Sequence, residues 1–171
     1  MAGSILWFRQ DLRLFDQPAV RAAAQQGPVL PVYVLDDETP GDWGIGRAQR
    51  WWLHHSLASL AADLKAKGAP LLLLRGKADE VLARLANETG LTRIHALAHY
   101  EPLWQAAEAR LAAQLELVLH EGVALAPPHR VTTRSGGRWP GTRPIAATIC
   151  WWSTTDPPTA PSTLWTRPSS C

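Results

Sequence analysis

The chain has 171 residues, 46% of them hydrophobic, and a formal net charge of +2. That length suits one domain with a real core and leaves room for an extra segment, while so small a charge excess excludes strong electrostatic binding of nucleic acid by this chain alone. No extended apolar stretch precedes Arg9 and Asp11, and the longest aliphatic run, residues 71–74, is far too short to cross a bilayer, so a cytoplasmic protein is expected.

Residues 4–8, Ser-Ile-Leu-Trp-Phe, have the length and content of a core strand and break abruptly into Arg9, Asp11 and Arg13. Asp16-Gln17-Pro18 follows, an N-cap acid with a proline in the first helical turn, and predicts a helix over 18–26 with Gly27 as a left-handed C-terminal cap. Residues 29–35 form the second strand. Over 47–67 the apolar residues Trp51, Leu53, Leu57, Leu60, Ala61 and Leu64 recur close to a 3.6-residue period, which predicts a long amphipathic helix stopped by Gly68-Ala69-Pro70. The leucines at 71–74 make a third strand, 79–87 a helix ended by Gly90, 93–97 a fourth strand, 103–115 a helix and 117–119 a short fifth strand. Continuous rather than alternating apolar runs fit strands covered on both faces. The fold class predicted is α/β: a five-stranded, doubly wound parallel sheet with helices on both faces, Rossmann-like, followed by an irregular tail.

Beyond Arg138 the character changes. Residues 139–171 are rich in Pro, Thr, Ser and Trp with a single acid, Asp156, and lack periodicity, so a domain over 1–138 and a disordered or frame-shifted tail over 139–171 are expected. Trp151, Trp152 and Trp165 have nothing around them to fix their geometry. Cys150 and Cys171 lie there too, without metal-ligand spacing, and no metal is expected.

Ligands of open parallel sheets bind outside the carboxyl ends of the strands, where the winding reverses. The charged residues collect at such ends: Arg9, Asp11 and Arg13 after the first strand, Asp36, Asp37 and Glu38 after the second, His99 and Glu101 after the fourth, with Arg50 early in the helix that follows the second strand. Read as structure alone, Asp11 pairs with a neighbouring arginine and pins its loop, and Asp37 and Glu38 are solvated or cap a helix. Read as a site, the cluster holds a planar chromophore with a polar or phosphorylated tail, with Arg50 as a charged donor. Gly44-Ile45-Gly46 is a turn and not a dinucleotide fingerprint. His54 and His55 are adjacent on a helix and face different ways, so one buried and one exposed ring is expected rather than a shared metal.

The order Trp7-Phe8-Arg9-Gln10-Asp11-Leu12-Arg13-Leu14-Phe15-Asp16 resembles the opening of DNA photolyases and cryptochromes. Val32-Tyr33-Val34-Leu35-Asp36 is similar to that family's second strand, Arg50-Trp51-Trp52-Leu53-His54-His55-Ser56-Leu57 to its long second helix, and Tyr100-Glu101-Pro102 to the turn after its fourth strand. The likeness runs over about residues 3–138. It implies an N-terminal α/β domain that accommodates an antenna chromophore of deazaflavin, FMN or folate type, with cofactor-binding positions matched at Arg9, Asp11, Leu12, Arg13, Tyr33, Asp36, Arg50 and Glu101. In the parent family a separate helical domain holds FAD and splits pyrimidine dimers in damaged DNA with light. The turn Ser135-Gly136-Gly137 resembles the lead into that domain but is not followed by it, so a truncated and non-catalytic product is expected, with no catalytic residue assigned. Alternatives are a stand-alone flavin- or nucleotide-binding module, a cryptochrome-like photoreceptor fragment, or an inert fragment whose Trp43 and Trp104 mark an orphaned apolar surface. The sequence departs from the family pattern at Ala96 to Ala98, where many relatives have Trp-Asn-Arg, and at Ala107-Glu108, where an Arg-Asp pair is usual.

Overall fold

A computed structural model of the chain describes residues 3–124. The expected irregular tail, its tryptophans and cysteines, the Ser135-Gly136-Gly137 turn and the boundary at Arg138 lie outside the described residues. Five parallel strands form one sheet in the order β3-β2-β1-β4-β5, as the alternation of elements predicts. They are β1 (Ser4–Phe8), β2 (Val29–Leu35), β3 (Leu72–Arg75), β4 (Arg93–Leu97) and β5 (Glu116–His120), joined by α1 (Pro18–Gln26), α2 (Arg47–Ala66), α3 (Ala78–Thr89) and α4 (Pro102–Ala112).

β1 is central, with Ile5 registered against Leu30 on one side and Ile94 on the other. Its alternation divides the core. Ile5 and Trp7 join Val81, Leu82 and Leu85 of α3 and Leu111 of α4 on one face, while Leu6 and Phe8 join Ala19 and Ala23 of α1 and Leu60 and Leu64 of α2 on the other. Each of these β1 side chains is at most 4% exposed, and burying one such side chain is worth about 1.5–3 kcal/mol. The chain therefore winds outward from β1 in both directions, and the reversal falls between β1 and β4.

Several local readings need correction. Helix α1 is capped by Gln17 and not by Asp16: the Gln17 side chain accepts from the Val20 amide (3.2 Å) and donates to the Asp11 carbonyl (3.2 Å), while Asp16 sits at φ 52° outside the helix. One buried amide thus caps the helix and ties down the charged loop, which a carboxylate with no donor could not do. Gly27 has φ 142° with an extended ψ, so it turns the chain without a left-handed cap, whereas Gly90 closes α3 in the left-handed conformation at φ 72°. β3 pairs only with β2 and is an edge strand, which leaves Leu73 open to solvent instead of covered on both faces. In α2 only Leu60 and Leu64 are buried; Trp51, Trp52, His54 and His55 are all exposed, so the expected burial of one histidine does not occur. The amphipathic stripe fails at the N-terminal half because that half walls a cleft rather than covering the sheet.

On the α1 face, His95 of β4 is fully buried and stacks on His120 of β5, with ring centroids 5.2 Å apart. His95 Nδ1 lies 2.9 Å from His120 Nε2, and its Nε2 lies 3.2 Å from the Gln26 side-chain oxygen, which also accepts from Arg93. None of the described helices is long and apolar enough to cross a membrane.

Candidate functional site

At the carboxyl ends of β1, β2 and β4 the described residues enclose a cleft of about 260 Å³. Its volume sits just below the usual range for small-molecule sites, roughly 300–1,000 Å³, and suits a fused heteroaromatic ring better than a whole dinucleotide. The floor is Trp7 and Arg9 from β1 and the residue after it. Tyr33 and Asp36 come from β2 and its end, Trp52, Leu53 and Ser56 from α2, and His99 and Trp104 from the segment after β4.

Of the matched positions, Arg9, Leu12, Tyr33 and Asp36 line the cleft; Asp11, Arg13, Arg50 and Glu101 do not. Asp11 forms an ion pair with Arg13, Oδ2 to Nε 3.1 Å, the loop-pinning role that the charge pattern allowed. Arg50 donates bidentately to Asp37 (2.8 and 3.3 Å), and Arg75 adds a third bond to the same carboxylate. Asp37 is thus a charge partner rather than a solvated acid, and it draws Arg50 off the lining. Glu101 is half-exposed at the head of α4.

Asp36 reaches the cleft but is bonded throughout. It accepts from the Glu38 amide (3.0 Å), the Thr39 amide and hydroxyl (2.8 and 2.6 Å) and the Ala78 amide (2.9 Å). Burial alone would raise its carboxyl; the bonds from Thr39, Ala78 and Glu38 outweigh burial and hold it below the usual carboxylate range. One side chain therefore ties the turn after β2 to the first residue of α3. Asp36→Ala should lose about 1–2 kcal/mol of stability by removing a helix cap and its turn, read as a lower urea midpoint; an unchanged midpoint would mean that water replaces those bonds.

Arg9 is the least expected feature. Its side chain is 5% exposed, directly after the central strand. Nη1 donates to the Leu97 carbonyl (3.1 Å) and to Glu108 of α4, and the guanidinium lies over Trp7, 4.2 Å from the ring centroid, with Trp104 at 5.6 Å. Burial lowers its pKa, opposed by the hydrogen bond and charge of Glu108 and the charge of Glu101. Glu108 Oε1 also accepts from the His99 amide at 3.1 Å, so a single carboxylate fixes both the arginine and the chain entering the site. The His99 ring is buried edge-on to Trp104, with centroids 5.8 Å apart. Burial, with the Arg9 charge added and only Glu101 opposing, pulls it down to about 4, and it stays neutral at pH 7.

The sequence pattern did not foresee three contributors. Glu108 stands where the family's Arg-Asp pair was missed, and a carboxylate there still meets Arg9. Trp7 read as core only. Trp104 is half-buried in the site, while Trp43 is 85% exposed. Tyr33 is pushed up by burial and by the charge of Asp37, which keeps its hydroxyl protonated. Among the described residues no group of three or more His, Cys, Asp or Glu is placed to hold a metal ion.

Comparison with known proteins bears on the family and the fold. The family profile of DNA photolyase matches residues 4–153, past the point where the likeness was expected to end. The deoxyribodipyrimidine photo-lyase of Agrobacterium fabrum is 40% identical over 139 residues, which is 78% of this chain and 28% of that protein. Cryptochrome-1 of Sinapis alba is 40% identical over 101 residues, 58% of this chain and 20% of that protein. The crystal structure of a bacterial class III photolyase from Agrobacterium tumefaciens superposes with a TM-score of 0.71 at 39% identity, covering 81% of this chain and 29% of that one. The archaeal photolyase from Sulfolobus tokodaii, solved with two FAD molecules, shares the fold with a TM-score of 0.69 at 24% identity. The chain spans under a third of the length of these relatives. With the sheet order and the profile in agreement, the chain belongs to the DNA photolyase family and carries its N-terminal α/β domain.

Proposed function

We propose that this chain is a light-harvesting module, binding one antenna chromophore of flavin, deazaflavin or folate type in the cleft beyond β1, β2 and β4. The observation that carries the reading is the cleft itself: a ring-sized space between Trp7, Tyr33, Trp52 and Trp104, whose aromatic faces would stack a planar heterocycle. A novel light-harvesting cofactor is implicated for the Sulfolobus tokodaii photolyase, which supports this use of the fold. A bound chromophore supplies absorption of light and transfer of the excitation. The chain's own residues sandwich the ring, exclude water and, through the Arg9–Glu108 pair, hold the floor rigid. The light-driven repair of damaged DNA, and the FAD it uses, belong in this reading to the part of the relatives that the chain does not span, so no residue here is assigned to dimer splitting. A cytoplasmic location goes with that role.

Titration of the full chain with FMN and with 5-deazariboflavin, followed by ligand fluorescence, tests the reading. Saturable one-to-one binding of at least one of them is expected. Trp52→Ala should weaken it roughly tenfold by removing a stacking face, whereas Arg50→Ala, outside the lining and tied to Asp37, should change it by less than about twofold. Absence of saturation with both compounds, and with a reduced folate titrated in the same way, would remove the proposal.

A further inference from the structure

A surface helix ordinarily turns one apolar stripe to the core and its charges to the water. Helix α2 departs from this. Leu53, Leu57, Leu60 and Leu64 make its inward seam, and Leu60 and Leu64 are buried under it. Half a turn round the helix stands a second line, Ala48, Trp51, His55, Ala58, Ala62 and Ala66, every one of them exposed and none of them Asp, Glu, Lys or Arg. Its members recur at the three- and four-residue steps of a seam between helices. The charges of α2 lie off this line: Arg47 and Lys65 on one flank, Asp63 on the other, and Arg50 held by Asp37.

Two observations say what covers the face. The first is that the line is sorted by size. Trp51 packs edge-on against His55, with centroids 4.4 Å apart, and against Trp52 at 5.3 Å, so the bulky N-terminal half is a braced aromatic block. Ala58, Ser59, Ala62 and Ala66 leave the C-terminal half as a shallow trough. Laid antiparallel about a twofold axis, each α2 seats its block in the other's trough, so both ends close at once; a parallel pair sets tryptophan on tryptophan and holds the alanines apart. The second observation is area. Trp51 is 58% and Trp52 66% exposed, which at roughly 250 Å² for a whole tryptophan leaves about 300 Å² between them. The histidine and alanines of the line raise this to roughly 600 Å² per copy, the low end of what specific interfaces bury.

We infer that the outward face of α2 is the interface of a twofold, antiparallel homodimer, with Trp51 opposite Ala66 of the second copy, His55 opposite its Ala62, and Ala58 beside the axis. A contact of this size predicts a dissociation constant on the order of 10 μM. The aromatic block is fixed before association, so little side-chain freedom is lost in forming the contact.

Sedimentation of the full chain from about 1 to about 200 μM tests this, and should show a monomer–dimer equilibrium within that range. Ala58→Glu is an exposed substitution that a helix accepts, and it sets two like charges beside the axis. It should weaken the dimer at least about tenfold and leave the circular dichroism and urea midpoint of the parent unchanged. In a chain with Cys150→Ser and Cys171→Ser, Ala58→Cys should oxidise to a disulfide-linked dimer. Ala48→Cys should not, because the two copies of position 48 lie roughly 30 Å apart in the antiparallel order. A parent that stays monomeric throughout would overturn the inference, as would a dimer indifferent to Ala58→Glu or association that runs on past the dimer. Equal cross-linking at 48 and 58 would overturn the antiparallel order. The cysteine pair decides the face even if Ala58→Glu does not fold, since a dimer built elsewhere links neither position.

Discussion

Replacing Glu108 with alanine should cost about 3–5 kcal/mol, because it leaves a buried charge without its partner. The Arg9 side chain is 5% exposed, its guanidinium is wedged over Trp7, and Glu108 is the carboxylate that it bonds. The substitution also strands the His99 amide, which donates to the same oxygen. Against the ~5–15 kcal/mol that holds a typical domain together, a loss of that size unfolds a large fraction of the molecules on warming. That loss measures the penalty of an orphaned cation and not the worth of the pair. The pair itself need not stabilise at all: burial lowers the Arg9 pKa even with Glu108 against it, so desolvation is not fully repaid. The double variant Arg9→Met with Glu108→Leu should therefore recover more than half of the stability lost by Glu108→Ala while losing chromophore affinity. Urea unfolding of the two variants and the parent decides. If Glu108→Ala falls less than about 1 kcal/mol below the parent, the value of an exposed ion pair, then water reaches the guanidinium and the sealed floor does not exist.

Acidification from pH 7 to pH 4 should remove on the order of 3 kcal/mol through His99 alone, taking its ordinary value of 6.5 in the unfolded chain and about 4 in the fold. The fold keeps the ring neutral, so between those values the unfolded chain binds more protons. Stability is complete above pH 6.5 and is lost as the pH falls through that window. His95 and His120 act in the same direction. Burial lowers both, and the charges of His120 and Arg93 add to the effect at His95, with Glu116 opposing. Asp36, held below the usual carboxylate range, joins only at lower pH. Urea midpoints at pH 7.5, 5.5 and 4.5 should decline progressively, and His99→Gln should flatten the decline by its share while the β4–β5 histidine pair maintains the rest. A midpoint that is level from pH 6.5 to 4.5 would show that these rings gain solvent or partners on protonation.

What could be read in advance divides along the range of the interactions. The strands, the helices and their alternation depend on neighbours within a few residues, so β1, α3 with its closing Gly90, and the parallel order follow from the text of the chain. Caps proved harder, because Asp16 and Gln17 are both polar residues before Pro18 and only the position of the Asp11 carbonyl selects the amide. Arg9 could be picked out as chemistry by its place after a buried strand, but its partner Glu108 is 99 residues away on a helix where a glutamate ordinarily faces water. Arg50 shows the opposite failure. A cation near the strand ends looks like a ligand for an anion until Asp37, on the loop before it, is seen to have claimed it. In α2 the period of the apolar residues was real, but period says which residues share a face and not what that face meets.

The central strand is also the first of the five to be made. β1 takes β2 as a neighbour early, but its other edge is filled only by Ile94, His95 and Ala96, and Arg9 meets its counter-charge only when α4 is complete. During synthesis the most fully buried strand must wait with one edge open until most of the sheet has left the ribosome, a long-range closure of the kind that slows folding and exposes nascent chains to aggregation. The segment from β4 through α4 is therefore the lock on β1, and translation that halts before it yields a sheet that cannot close.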